Sequence, residues 1–189
     1  MPIDLTSYKG RVNPYGIISK NSYEVTISGM SEDVTMFCLA AQLPGMTMGV
    51  ASAFFQGRQL KLAGDPRYPN WSATFYANSA QSTIETYKAF LDWYNLPRHQ
   101  VTNVGKRDAQ QYWKTVTIKP LAADRTTVVS KIELIDAFVT EIQPIDISYE
   151  SENELLTFNV ILEFSETTVE GSWGASGLAN YPSNPNIPI

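Results

Sequence analysis

The chain has 189 residues, a length that one hydrophobic core with extensions can organise, and its 43% hydrophobic and 12% aromatic residues are ordinary globular core material. Its 14 Lys and Arg against 19 Asp and Glu leave a net charge of -5, which excludes a protein whose main task is gripping phosphates. Cys38 is the only cysteine, so an internal disulfide and a thiolate metal set are excluded. No apolar run approaches the roughly 20 residues that cross a bilayer, and Met1-Pro2-Ile3-Asp4 lacks the charged and apolar regions of a signal peptide; the expectation is a protein made and used in soluble form.

Residues 1–20 carry Pro2, Gly10, Pro14 and Gly16 with little periodicity and read as an extended N-terminal arm. A β-domain is expected over 21–167. From Ser22 to Ser28 the chain alternates, with Tyr23, Val25 and Ile27 on one side, which predicts a half-buried strand. Val34 to Leu43 is apolar on both faces and predicts a strand covered on both sides, ended by a Pro44-Gly45 turn. The uncharged stretch Met46 to Gln56, with Met48, Val50, Phe54 and Phe55, predicts an apolar contact loop.

Arg58 to Leu62 reads as a short strand and Gly64-Asp65-Pro66 as a turn, followed by a strand with Trp71, Ala73, Phe75 and Ala77 inward. Ser82-Thr83-Ile84-Glu85 has the form of a capping box, in which hydroxyl and carboxylate each satisfy a backbone amide at a helix start. Beyond it Ile84, Tyr87, Phe90, Leu91 and Tyr94 share one helical side, which would pack on the sheet, and Pro97 closes the helix.

Residues 98–111 are polar, hold the only histidine, His99, and read as a surface loop. Strands return at Trp113 to Pro120 and at Thr126 to Ile135. Ile132, Ile135, Phe138, Val139 and Ile142 would also suit a helix, but β-branched content favours strand. Leu156, Phe158, Val160, Leu162 and Phe164 alternate with polar residues in the plainest strand pattern of the chain. Past Ser165, Gly and Pro among Ser and Asn predict that 168–189 is a flexible or partner-ordered tail. The fold class is mainly β, an antiparallel sandwich or barrel with one flanking α-helix.

Catalytic groupings are missing from this pattern. Asp146, Ser148, Glu150, Glu152 and Glu154 recur at every second position like calcium-loop ligands, yet the sixth position, where the sharp turn needs glycine, is Ser151. They read as the polar face of a strand and turn, an acidic surface. His99 has neither a second histidine nor a fixed acid partner in sequence, and the apolar neighbours of Cys38 would raise its thiol pKa. Asn70-Trp71-Ser72 fits the glycosylation pattern by chance, and no glycine-rich phosphate loop or basic-aromatic run occurs. The expectation is no enzyme, no metal and no cofactor.

Several blocks taken in order, Phe37 to Gly45, Ala63-Gly64-Asp65 before Trp71, the helix through Phe90-Leu91-Asp92-Trp93 and the strand entry from Tyr149 to Phe164, resemble the tail tube proteins of contractile-tailed bacteriophages. The likeness covers about residues 20 to 166. It implies a structural subunit of hexameric rings, with the sheets of the copies joined into one inner barrel. Stacked rings would form a tube inside the sheath, ended by baseplate and terminator proteins, through which DNA passes unbound into the host; the virion would be its place, and the host cytoplasm the site of assembly. Pro44, Gly45, Met46, Met48, Val50, Phe54 and Phe55 would then contact other subunits, and Asp146, Glu150, Glu152 and Glu154 would form an acidic outer or lumen surface that keeps DNA sliding. Other readings are a tube initiator or terminator, the tube of a phage-derived contractile injection particle, and a monomeric β-sandwich binding module using Phe54, Phe55 and the 98–111 loop.

Overall fold

The computed structural model describes residues 18, 20–80, 83–106, 108–145, 147–148 and 154–171. The first part of the chain forms β1 (Tyr23–Ile27), a short helix α1 (Glu32–Met36), β2 (Cys38–Ala41), β3 (Thr47–Phe55), β4 (Arg58–Arg67) and β5 (Trp71–Tyr76). Two short strands, β6 (Ser79–Ala80) and β7 (Thr83–Ile84), lead into the main helix α2 (Glu85–Asn95). A 3-10 turn at Ala109–Gln111 precedes β8 (Lys114–Pro120), β9 (Ser130–Ile142), β10 (Thr157–Glu163) and β11 (Glu166–Gly171). Seven strands form one open sheet in the order β1-β8-β9-β10-β5-β2, with β11 beside β9. The β3–β4 and β6–β7 pairs are separate antiparallel ribbons.

The chain divides into two compact units, a larger one of Thr26–Val116 with Leu134–Thr167 and a smaller one of Met1–Val25, Thr117–Glu133 and Thr168–Ile189. In the larger unit the alternation of β5 and β10 sends Trp71, Ala73 and Phe75, with Phe158, Val160 and Leu162, to one buried face. Helix α2 lays Thr86, Phe90 and Trp93 against it. Phe90 meets Phe75 at 4.6 Å and Phe158 at 5.8 Å between ring centroids, and Tyr87 meets Phe158 edge-on at 5.4 Å. Such ring pairs add about 0.5–1.5 kcal/mol each beyond area burial, so this cluster is what fixes the helix on the sheet. Each buried indole has a partner: Trp71 Nε1 donates to the Gln42 carbonyl at 2.6 Å and Trp93 Nε1 to that of Tyr112 at 2.7 Å.

In the smaller unit Val25 and Ile118 are buried, and Lys119 reaches Glu24 at 3.4 Å. Lys131 lies between Glu133 at 2.7 Å and Glu170 at 3.4 Å. These are surface pairs and contribute little on their own.

Several expectations are corrected. The predicted strand Val34 to Leu43 is mostly something else: Glu32–Met36 is a helical turn, and only Cys38–Ala41 pairs, at the rim of the sheet. Its apolar residues therefore are not covered on both faces; Leu39 and Leu43 are exposed and Cys38 is half-buried. Gly64-Asp65-Pro66 is no turn but part of β4, which runs on to Arg67. The capping box fails as well, because α2 starts at Glu85 and its N-cap, Ile84, makes no side-chain cap bond; Ser82 lies outside the described residues. The helix start is satisfied instead from across the turn, where Asn78 Oδ1 accepts from the Thr86 amide at 3.0 Å and Thr86 Oγ1 donates to the Tyr76 carbonyl at 2.9 Å. The buried side of α2 is accordingly centred on Thr86, Phe90 and Trp93, with Ile84 exposed.

Residues 168–171, expected in the tail, belong to β11, which pairs with β9. The arm other than residues 18 and 20, and the tail from 172, lie outside the described residues.

Candidate assembly surface

The β3–β4 ribbon grows out of ordinary hairpin chemistry. Gln56 and Gly57 both hold positive φ, 46° and 79°, which is the two-residue turn whose twist matches paired strands, and glycine takes the second position without strain. Pairing runs from Phe55 opposite Arg58 back to Thr47 opposite Arg67, with a register shift between Met48 and Val50. The expected contact loop over Met46 to Gln56 is thus a strand of a hairpin. It escaped sequence reasoning because neither side alternates towards a core: every residue of β3 except Gly49 is exposed.

That exposure is the main finding. Phe54 and Phe55 are 75% and 74% exposed, and Met46, Met48 and Val50 are each more than half exposed. Pro44 is half-buried, and Gly45 is exposed. Leu60 and Leu62, on β4, share the Phe55 face of the ribbon and were missed because only the first half of the hairpin was read as apolar. A two-stranded hairpin standing alone in water is at best marginally stable, so one carrying this much apolar surface needs a partner. Burying a side chain of this type is worth about 1.5–3 kcal/mol, so the three on one face, Phe55, Leu60 and Leu62, together reach about 5–9 kcal/mol. That is comparable with the roughly 4–15 kcal/mol that association costs, where a single residue would not be.

Among the described strands β2 ends the order, pairing with β5 with a register shift between Cys38 and Ala40.

Of the predicted acidic surface, Glu154 is exposed, while Asp146, Glu150 and Glu152 lie outside the described residues. Beside Glu154 is a cavity of about 430 Å³ formed by the segment that follows β9 and by the outer side of β10. His99 is exposed, and its Nδ1 accepts weakly from the amides of Val101 and Thr102 at 3.3 and 3.4 Å, a loop-holding role. Cys38 Sγ points to the Ala40 carbonyl at 3.8 Å.

The open antiparallel sheet backed by one helix is a fold found among solved structures of contractile injection systems. It superposes on the anti-feeding prophage tube-terminating cap with a TM-score of 0.63 at 16% identity, over 82% of this chain and 92% of that one. The match to the sheath–tube complex of the extracellular contractile injection system PVC in its extended state has a TM-score of 0.63 at 12% identity, over 86% and 97%. The chain belongs to the phage tail tube protein family, whose model matches residues 6–170. Among its relatives are the tail tube proteins of Enterobacteria phages T4 and T6, 26% and 25% identical over 142 residues, 75% of this chain and 85% of theirs.

Proposed function

We propose that this chain is the repeating subunit of a contractile phage tail tube, a structural, non-enzymatic virion protein that forms stacked hexameric rings. The observation that carries this reading is the β3–β4 hairpin, whose apolar side chains have no covering layer in the protomer. Family membership supports the same reading. Joining the sheets of neighbouring copies would close them into a common barrel. The sheath would surround the tube, with baseplate and terminator proteins at its ends, and DNA would travel through a lumen that the acidic chain does not let it grip. Pro44, Gly45 and Met46 to Phe55 would serve contacts between copies. The acidic group of Asp146, Glu150, Glu152 and Glu154 would line a surface of the assembly, and 172–189 would reach a neighbouring protein.

Electron microscopy of the purified chain at high concentration, alone and with baseplate components, tests the proposal. Rings or tubes of uniform bore are expected. A protein that stays monomeric under both conditions overturns it, and recovery of a single ring per particle assigns the chain to tube initiation or termination instead.

A further inference from the structure

Two surfaces of the larger unit are complementary in charge and apolar character. The turn at Gln56-Gly57 brings Phe55 and Arg58 opposite each other, so both project from the same side of the ribbon, together with Ala51, Ala53, Leu60 and Leu62. The other side carries Phe54, Lys61 and the Ser52–Gln59 pair, hydrogen-bonded at 2.9 Å. Between Thr47 and Arg67 the hairpin holds three basic residues, Arg58, Lys61 and Arg67, against one acidic residue, Asp65. A basic tip with an aromatic ring beside it seeks an apolar hollow with a carboxylate at the rim.

The cavity of about 430 Å³ is such a hollow. Ile145, Ile147 and Leu155 supply apolar wall, and Ile147 and Leu155 are left 85% and 75% exposed at its rim. Asn159 is already engaged there: its Oδ1 accepts from Ser72 Oγ at 3.0 Å and its Nδ2 donates to Gln143 Oε1 at 2.9 Å. An entering ring therefore strands neither end of that amide. Glu154 lines the same cavity, and the sequence from 143 to 159 contains four acidic residues and no basic one.

Resting on the reading that copies of this chain assemble, we propose that the hairpin of one copy docks in this cavity of a second copy, with Phe55 entering it and Arg58 pairing with Glu154. Glu154 and its apolar neighbours Ile145, Ile147 and Leu155 are then a receptor for a neighbouring subunit. The rival surface for the hairpin is the exposed pair of side chains Leu39 and Leu43, but residues 38 to 46 contain no charged side chain to meet Arg58. An aromatic anchor closing over a desolvated ion pair is the arrangement from which interface hot spots are made.

The test uses the full chain carrying Arg58→Lys, assembled from an equal mixture of ¹⁵N-labelled and unlabelled protein and treated with a zero-length carbodiimide. Mass spectrometry is expected to find position 58 joined to Glu154 in mixed-isotope pairs, which can arise only between copies. In parallel, Phe55→Ala should raise the protein concentration needed for tube formation at least about tenfold while the circular dichroism and thermal melting of dilute protein stay as in the parent chain. Tubes that form normally but join position 58 only to other carboxylates overturn the docking and leave the tube reading intact. So do tubes of Phe55→Ala that form at the parent concentration. A chain that never assembles overturns both.

Discussion

Lys114 holds its ammonium 5.5 Å from the centre of the Trp93 ring and 3.2 Å from each of two carbonyl oxygens, those of Ser28 and Gly29. One side chain thereby ties the turn after β1, the start of β8 and the last turn of α2. Partial burial holds the ammonium below its usual pKa. Lys114→Met keeps the apolar stem and loses the charge-assisted bonds and the ring contact, so it should cost about 1–2 kcal/mol, read as a lower urea midpoint of the protein.

Phe90 is fully buried and touches Phe75, Trp93 and Phe158. Truncation to alanine leaves a cavity between helix and sheet that close-packed neighbours fill only in part. Phe90→Ala is expected to cost about 3–5 kcal/mol in chemical denaturation, whereas Phe90→Leu should retain much of that. A loss below 1 kcal/mol would mean that α2 is not anchored through this ring.

At the helix start the cap lies outside the helix's own sequence. Asn78→Ala removes the acceptor of the Thr86 amide and should destabilise by about 1 kcal/mol. Asn78→Asp retains the acceptor, so thermal melting of the two variants separates loss of the cap from loss of side-chain volume.

Gly105 lies against the Pro97 backbone so closely that a Cβ would collide with the Pro97 carbonyl, and the Lys106 amide bonds the Leu96 carbonyl at 3.1 Å beside it. Gly105→Ala should therefore open the loop after α2 and cost about 1–3 kcal/mol. Faster amide exchange at Lys106 would localise the effect; unchanged exchange would sink it.

Asp124 closes the β8–β9 connection, accepting from the amides of Thr126 at 3.1 Å and Thr127 at 3.0 Å and from the Thr127 hydroxyl. The Thr127 hydroxyl and these amides hold its carboxyl well below the usual carboxylate range. Since the folded value is depressed, the turn's stabilisation is complete above the ordinary value of 3.8 and is lost as pH falls below it through the folded value. Carboxyl NMR should show Asp124 titrating below the exposed Asp and Glu side chains, with the Thr127 amide following the same curve. In Asp124→Asn that step disappears.

Strand β10 was legible in full because alternating residues meet one dry face and one wet face, so the period of two is written into the sequence. β9 was nearly misread, and its geometry says why. The helical spacing was read from Ile132, Ile135, Phe138 and Ile142, which are half-buried, whereas the buried positions are Leu134, Ala137 and Val139, with an irregularity at Asp136, φ of 56°, between the first two. Trp93 was passed over on α2 because its stripe, Thr86, Phe90 and Trp93 at i, i+4 and i+7, begins at a polar residue, buried here through its bonds to Asn78 and Tyr76.

What the sequence determined by itself was whatever depends on local pattern: a mainly β chain, one helix stopped at Pro97, strands with a wet and a dry side, and order enough along the blocks to reveal the family. Tertiary structure alone decided that Met46 to Gln56 is half of a hairpin, that Cys38–Ala41 lies on the rim of the sheet, and that Glu154 shares a cavity with Ile147 and Leu155. The physical reason is the same in each case. A period in sequence reports burial within one chain, and the exposed β3–β4 ribbon has no such burial to report.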